Sequence, residues 1–211
     1  NIQFMGGLHL SASQSWTAPN GGLVCLDGLR PFTAADGVEL TGRGSAELRM
    51  NAAGALTSSN TIYVTESSFL SLSKFGSLGA STVILDGTGT RMKADAGFVI
   101  SNPRLCGRLI LRNGAAISCS GVCTNDLDAF EVDAPAVQLV SSVTGTGGAQ
   151  LILSKTNTTF AVTNGAALQV ALPLADGQNV AAAVRKTGTG VLTLSVANLF
   201  SGGLSVGEGL V

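Results

Sequence analysis

Charged side chains in the middle of the chain are the first candidates for chemistry. Arg91, Lys93 and Asp95 alternate with apolar residues, which places their side chains on one face of a predicted strand. Arg108 and Arg112 share one face of another predicted strand. Acidic and basic groups gathered on a sheet can abstract a proton from a sugar or hydrolyse a glycosidic bond. If the two strands stack, these five residues form a mixed-charge ridge, which is either a solubilising surface or a face for a glycan or a partner protein.

The segment from Asp126 to Asp133 is the densest group of carboxylates, with Asp128 and Glu131 between its ends. Alternating carboxylates are ligands that suit Ca²⁺. The segment lacks the Gly-Gly-x-Gly-x-Asp pattern of calcium-binding repeats, so a solvated loop is the favoured interpretation and Ca²⁺ is the alternative. His9, the single histidine, falls on the polar phase of its strand and predicts no Ser/His/Asp catalytic group. We therefore predict no catalytic residue, no cofactor and no resident metal.

Four cysteines, Cys25, Cys106, Cys119 and Cys123, can pair in three ways, and their spacing does not choose among them. Cys119 and Cys123 flank a glycine and could close a local loop as a disulfide in an oxidising compartment. The alternative is that Cys25 and Cys119 are small inward-facing residues of an apolar core, in which free cysteine packs well. Both interpretations stand as predictions.

Composition excludes several classes of function. The 211 residues carry a net charge of −1, so no basic surface for nucleic acid is expected. No apolar run approaches the ~20 residues that a membrane-spanning helix needs. The chain is 45% apolar but only 5% aromatic and 12% charged, and it has 28 glycines. This balance argues against disorder and favours a thin, repetitive core of short stacked strands.

Pairs of glycines mark a repeat. The pattern Thr/Asp-Gly-x-Gly is present in four copies, each next to a predicted strand. The second glycines of successive pairs lie 45, 58 and 43 positions apart, which is in or near the range of solenoid and propeller repeats. The eight glycines predicted to lie in turns are Gly42 and Gly44, Gly87 and Gly89, Gly145 and Gly147, and Gly188 and Gly190.

Short predicted strands separated by glycine-rich turns indicate an all-β fold. We predict a right-handed parallel β-helix (a β-solenoid) with coils of about 20 to 25 residues, so that each repeat covers about two coils. Inward side chains would form ladders through a narrow core, and helix would be confined to fragments such as 180–184. A propeller and a β-sandwich are the alternatives, but a propeller needs antiparallel hairpins, for which strong turn signals are few.

The best copy of the repeat runs from Lys186 to Val211. It reads Lys-x-Gly-x-Gly-x-Leu-x-Leu, then Asn-x-Phe-x-Gly-Gly-x-x-Val, then Gly-Leu. This pattern resembles the autotransporter-associated β-strand repeat, also called the passenger-associated transport repeat. The matching residues are Lys186, Gly188, Gly190, Leu192, Leu194, Asn198, Phe200, Gly202, Gly203, Val206, Gly209 and Leu210.

The resemblance implies a right-handed parallel β-helix in a large surface or secreted bacterial protein, without catalytic residues. We therefore expect a non-catalytic structural or adhesive protein, located outside the cell or on the outer-membrane surface of a Gram-negative-type bacterium. The alternatives are a self-assembling subunit of an extracellular filament or sheath, and a polysaccharide-active enzyme.

The ends of the predicted solenoid suggest its partners. Open β-helix ends are unpaired edges, so neighbouring repeats or other copies of the chain are expected there. Glycans and host or cell-surface proteins are further expected partners. Residues 1–211 are expected to form one solenoid that is either a segment of a longer protein or one subunit of a stacked assembly.

Overall fold

The computed structural model describes residues 1–18, 21–26, 31–50, 54–72, 78–95, 99–100, 106–135 and 139–211, and at residues 72, 95, 99 and 100 it describes the backbone alone. Throughout this part of the chain the regular elements are strands, and none of its residues is helical. No transmembrane helix is found among the described residues.

The described residues form twenty-two strands, numbered in chain order, in two long sheets and one short sheet. The first long sheet stacks β1 (Ile2–Phe4), β4 (Leu23–Leu26), β7 (Glu47–Met50), β9 (Phe69–Leu72), β11 (Arg91–Asp95), β14 (Ala116–Asn125), β16 (Val140–Leu153), β18 (Ala167–Val170) and β21 (Val191–Leu194), and adds β12 (Val99–Ile100) and β19 (Leu174–Asp176) at its side. The second long sheet stacks β3 (Gln14–Thr17), β6 (Glu39–Arg43), β8 (Thr61–Val64), β10 (Thr82–Asp86), β13 (Arg108–Arg112), β15 (Ala129–Asp133), β17 (Asn157–Val162), β20 (Ala183–Thr187) and β22 (Leu204–Val206). The short sheet pairs β2 (Leu8–Leu10) with β5 (Phe32–Ala34).

Every strand pair in these sheets is parallel. Strands of successive coils pair with one another, so the predicted β-solenoid is confirmed and the propeller and the sandwich are excluded. The coil length is the number of positions between paired residues of successive strands. It varies from 20 (Val184 and Leu204) to 30 (Ala129 and Thr159), a wider range than the predicted 20 to 25 residues.

Inward side chains of successive coils stack into ladders that fill the core. In the second long sheet, the rings of Phe130 and Phe160 are stacked with centroids 5.6 Å apart. Lys186 occupies the next position of this ladder and is also buried. One ladder of the first long sheet contains Val24, Leu48, Leu70, Met92, Ile117, Val143 and Val170.

One corner of the solenoid is built from residues with left-handed backbone conformations. It joins each strand of the second long sheet to the next strand of the first, as between β6 and β7 and between β20 and β21. A positive φ costs an L-residue roughly 1–2 kcal/mol, and Asn tolerates it better than most residues do. The Asn113-Gly114 and Asn164-Gly165 pairs are therefore corners rather than hairpin turns. Corner residues with positive φ are Gly21, Gly44, Ser45, Glu66, Ser67, Gly87, Gly89, Asn113, Gly114, Asn164, Gly165 and Gly188.

The glycine pairs only partly follow the predicted turns. Positive φ angles are found at Gly44, Gly87, Gly89, Gly147 and Gly188. The turn prediction is wrong for Gly42 and Gly145, which lie inside β6 and β16. A Cβ at either of them would overlap a neighbouring side chain, so these positions need glycine for close packing. Gly147 also lies inside β16, so the third copy of the pattern is not a corner.

Two smaller predictions are corrected by the strands. The fragment 180–184, predicted to be helical, follows a turn at Asn179 and leads into β20. Gly190 has no positive φ, but a Cβ there would overlap the carbonyl oxygen of Ala166 one coil earlier. Glycine is required at this position because two coils approach closely.

Candidate functional site

The five charged residues predicted to form one ridge lie on two different sheets. Arg91 and Lys93 extend outward from β11 in the first long sheet, whereas Arg108 and Arg112 belong to β13 in the second. The backbone of Asp95 ends β11 and pairs with Ser120, and its side chain lies outside what the structure describes. The single ridge is wrong because each coil contributes one strand to each sheet, and the corner between them separates the two sets of charges.

The two arginines of β13 are paired with carboxylates of the next coil. The guanidinium of Arg108 donates to both oxygens of Glu131, with 2.6 Å between Nε and Oε1, and this bond raises the pKa of Arg108. Nε of Arg112 lies 3.7 Å from Oδ2 of Asp133, whose other carboxylate oxygen accepts a hydrogen bond from the corner residue Asn164. These contacts join the coils of β13, β15 and β17, so both arginines of β13 have a carboxylate partner within the fold.

A second group of polar contacts lies on the same long sheet, around Asp86 on the coil before β13. The carboxylate of Asp86 accepts hydrogen bonds from the Tyr63 hydroxyl at 2.6 Å and from the Asn113 amide at 2.8 Å. Burial, and then the bond to Asp86, raises the pKa of Tyr63 to about 12. The phenol therefore stays protonated at neutral pH and serves as a structural donor.

On the first long sheet, Arg91 and Lys93 converge on one aromatic ring of the preceding coil. Cζ of Arg91 and Nζ of Lys93 each lie 4.6 Å from the ring centroid of Phe69, which pairs in register with Arg91. None of the ion pairs found among the described residues includes either cation. Glu47 is the next residue along this ladder, but its carboxylate binds Arg49 at 3.0 Å. Two exposed positive charges thus share a ring and have no carboxylate partner in the described part of the chain.

A groove of about 230 Å³ opens beside these two cations. Lys93 pairs in register with Ser118, which pairs with Thr144 on the following coil. Ser120 and Thr146 form a second hydroxyl row beside the first. Each hydroxyl can donate one hydrogen bond and accept others. The groove lined by Arg91, Lys93, Ser118, Ser120, Thr144 and Thr146, with Ala94, Cys119 and Gly145 at its base, is called the Arg91–Lys93 groove below.

The predicted calcium segment connects coils instead of forming a loop. Residues 129–133 form strand β15, so much of the segment is extended. Asp126 accepts a hydrogen bond from Ser154 and lies 3.5 Å from Nζ of Lys155. Glu131 and Asp133 face the two arginines of β13. Among the described residues, no three His, Cys, Asp or Glu side chains are grouped as metal ligands.

Cys119 and Cys123 are free thiols in this structure, so the local disulfide is not formed. The loop predicted around Gly121 is a β-bulge inside β14, where the register shifts between Ser120 and Val122. Both cysteines face the core on either side of the bulge, and their thiols are hydrogen-bonded. The bond to Cys123, and then burial, raises the pKa of Cys119, so this thiol is a poor nucleophile at neutral pH.

The other two cysteines are also buried. Burial raises the pKa of Cys106 to about 12. Cys25 pairs in register with Arg49, an outward position, although it is only 4% exposed. The inward assignment is therefore correct for Cys119 and wrong for Cys25.

The first coils hold an exposed histidine and a groove. His9 is exposed, as predicted, with Nδ1 only 2.9 Å from the hydroxyl of Thr33. The groove has a volume of about 470 Å³, and its walls include the stacked rings of Phe4 and Trp16, whose centroids lie 5.8 Å apart. Phe4 pairs with the buried Leu26, so the groove is an uncovered end of the core.

The most distinctive residue of the C-terminal repeat has a structural role. Lys186 is fully buried, and its ammonium donates to the carbonyl oxygens of Thr187 at 2.9 Å, of Glu208 at 3.0 Å and of Gly188. Burial lowers the pKa of Lys186, and the charge of Glu208 opposes that shift. The repeat lysine therefore binds the corners of two successive coils together.

Asn198 and the Gly-Gly corner of the repeat also join successive coils. Oδ1 of Asn198 accepts a hydrogen bond from the backbone N–H of Leu174, one coil earlier, at 3.0 Å. Asp176 accepts hydrogen bonds from the hydroxyl and backbone of Ser201 and from the backbone of Ala182. These bonds, chiefly the one with the Ser201 hydroxyl, lower the pKa of Asp176.

Sequence reasoning missed Phe69, the hydroxyl rows and Asp176. Phe69 lies one coil before Arg91, and Ser118 lies one coil after Lys93, so the signal is a step of one coil. Because the coil length varies along the chain, this step cannot be assigned from spacing alone. No protein-family model matches the chain, and neither the curated proteins nor the solved structures include a significant match.

Proposed function

We propose that this chain is a non-catalytic structural or adhesive β-solenoid of a bacterial cell surface or extracellular protein. Its observed fold supplies a stack of parallel coils, and its resemblance to the autotransporter-associated β-strand repeat supplies the class of protein. A rod of this kind spaces or presents other parts of a surface protein.

One observation supports this proposal most strongly. The polar residues that distinguish the repeat bind backbone groups of adjacent coils, as Lys186 binds three carbonyls and Asn198 binds the N–H of Leu174. Residues used in this way maintain the architecture and are not free for catalysis. The polar residues of the repeat are therefore explained by the stability that their hydrogen bonds give the solenoid.

Antibody labelling of the source bacterium tests this proposal. We expect antibodies against residues 1–211 to label intact cells or the culture medium, and purified protein to turn over none of a panel of polysaccharides. Labelling that needs permeabilised cells would contradict the location. Turnover that is lost in Arg91→Ala, Lys93→Ala or Asp95→Ala variants would establish the enzyme instead.

A second candidate function is end-to-end assembly into a filament or sheath. It is supported by inward-phase apolar residues that remain exposed at the two ends of the described solenoid. Ile2 is 56% exposed at the first coil, and Leu204 and Val206 are 44% and 49% exposed at the last. Val206 pairs with the buried Lys186, so its side chain points along the core ladder. Electron microscopy of the purified protein distinguishes filaments from separate rods.

A further inference from the structure

We propose that the Arg91–Lys93 groove is a binding site for an acidic polysaccharide, whose carboxylate or sulfate group is held by Arg91 and Lys93. The inference deepens the adhesive part of the proposed function by assigning it a surface and a class of ligand. It does not depend on filament assembly, because the groove lies on the side of the solenoid and not at an end.

The positive charge of the groove is the first argument. Five of the basic residues in the described part of the chain form ion pairs, namely Arg43, Arg49, Arg108, Arg112 and Lys155. Lys186 is buried against carbonyl oxygens. Arg91 and Lys93 are exposed, and the contact that the structure gives both of them is the ring of Phe69.

The arrangement of these two cations is the second argument. A cation above an aromatic ring keeps its charge and its outward N–H groups, and the ring restricts its position. Like charges held around one ring repel each other, so an anion bound between them relieves that repulsion. Arginine also presents two parallel N–H groups that suit carboxylate and sulfate oxygens.

The hydroxyl rows select a sugar polymer among anionic ligands. Ser118 and Thr144 continue the row of Lys93 at the strand spacing of about 4.8 Å, and Ser120 and Thr146 run beside them. The Ser118 and Thr146 hydroxyls can exchange hydrogen bonds with sugar hydroxyls along the solenoid axis. The Thr144 hydroxyl donates to the carbonyl oxygen of Ile117 at 3.4 Å and can accept a further hydrogen bond. The apolar residues at the base of the groove, Ala94 and Cys119, are buried, so the groove offers no apolar side chain for insertion into a lipid layer.

Binding of three fluorescent polymers tests the proposal: polygalacturonate, which carries carboxylates, dextran sulfate, which carries sulfates, and neutral dextran. We expect the wild-type chain to bind one or both acidic polymers, more weakly as salt rises, and not to bind neutral dextran. Arg91→Gln and Lys93→Gln should each weaken binding about tenfold, and the double variant should abolish it. Lys93→Arg should retain binding because the positive charge is kept.

Arg185→Gln is the matched control. Arg185 is exposed on β20 of the other long sheet, and none of the ion pairs among the described residues includes it. Its loss should leave binding unchanged, and circular dichroism should show all variants folded. Equal weakening by Arg185→Gln would indicate unspecific charge attraction and overturn the site.

Other results would also overturn the site. These are no binding to either acidic polymer, full binding by the double variant, and binding to phosphatidylserine vesicles in place of both polymers. None of them would affect the cell-surface location, which the antibody labelling tests separately.

Discussion

Lys186 shows how a single residue can stabilise two coils. A buried ammonium is costly unless its protons are bonded, and here three carbonyl oxygens accept them. The carbonyls belong to two consecutive corners, so the side chain substitutes for the strand pairing that the corners lack. Its burial could not be predicted from residue type, since lysine is almost never fully buried without a partner.

Replacing Lys186 with methionine should destabilise the fold. The methionine fills a similar volume but leaves three partly buried carbonyl oxygens without their donor, so we expect the free energy of unfolding to fall by about 1 to 3 kcal/mol. Lys155→Met is the control, because its partly exposed ion pair with Asp126 is worth less than about 1 kcal/mol. Urea denaturation measures both variants, and equal losses would contradict the structural role of Lys186.

Tyr63 gives a pH-dependent test, because it is the single tyrosine of the chain. Its pKa is raised to about 12 in the fold, so the stability it contributes is present below pH 10 and is lost as the pH rises from about 10 to about 12. The near-ultraviolet absorbance of tyrosinate should have its midpoint near 12 in folded protein and near 10 in urea.

The Asp86→Asn variant separates the causes of this shift. Removing the negative charge should move the midpoint of Tyr63 part of the way toward 10, because burial is the larger cause and remains. A midpoint near 10 in the folded wild type would mean that the phenol is neither buried nor bonded to Asp86.

At the scale of elements, the repeated corner determines where strands end. Asn113 has a φ of 49° and donates to Asp86 of the preceding coil, and Asn164 has the same φ and donates to Asp133. The same pair of features therefore occurs twice, a left-handed backbone and an amide bonded to the coil before. Asparagine suits both because its short polar side chain tolerates the left-handed region.

Substitutions at Asn113 should separate these two features. Asn113→Ala loses the amide and retains the backbone strain, so it should lower the free energy of unfolding by about 2 kcal/mol. Asn113→Gly removes the strain and should cost about 1 kcal/mol. Asn113→Gly in an Asp86→Ala background should cost almost nothing further, because the bond is already absent. Equal losses for the alanine and glycine variants would argue against a strained corner.

The elements were predictable where local chemistry determines them. Alternation identified strands such as β11, and Gly-x-Gly identified corner positions such as Gly44 and Gly188. The same glycine pattern failed at Gly42 and Gly145, because glycine is also required where side chains crowd a strand interior. A sequence pattern does not distinguish a residue that turns the backbone from one that makes room for a neighbour.

At the scale of the whole molecule, register decides which residues meet. The fold class followed from composition and repeat spacing, but the grouping of charges did not. Arg91 is closer along the chain to Arg108 than to Phe69, yet it touches Phe69 and lies on a different sheet from Arg108. Coil length varies with the bulge in β14 and the long strand β16, so distant pairings become visible only in the folded chain.

The exposed ends of the core give the last prediction. Leu204 and Val206 continue the buried ladder of Val184 and Lys186, so an added coil or a second chain would bury them. We expect residues 1–211 to associate as concentration rises, and Leu204→Lys with Val206→Lys to weaken that association at least tenfold by adding two charges to the interface.

Sedimentation velocity measures the association. Val122→Lys is the matched control, because Val122 is 46% exposed on a coil in the middle of the solenoid, away from both ends. The control should associate as the wild type does. A wild-type chain that stays monomeric over the full concentration range would remove the support for filament assembly. Equal weakening by Val122→Lys would instead place the association on the side of the solenoid.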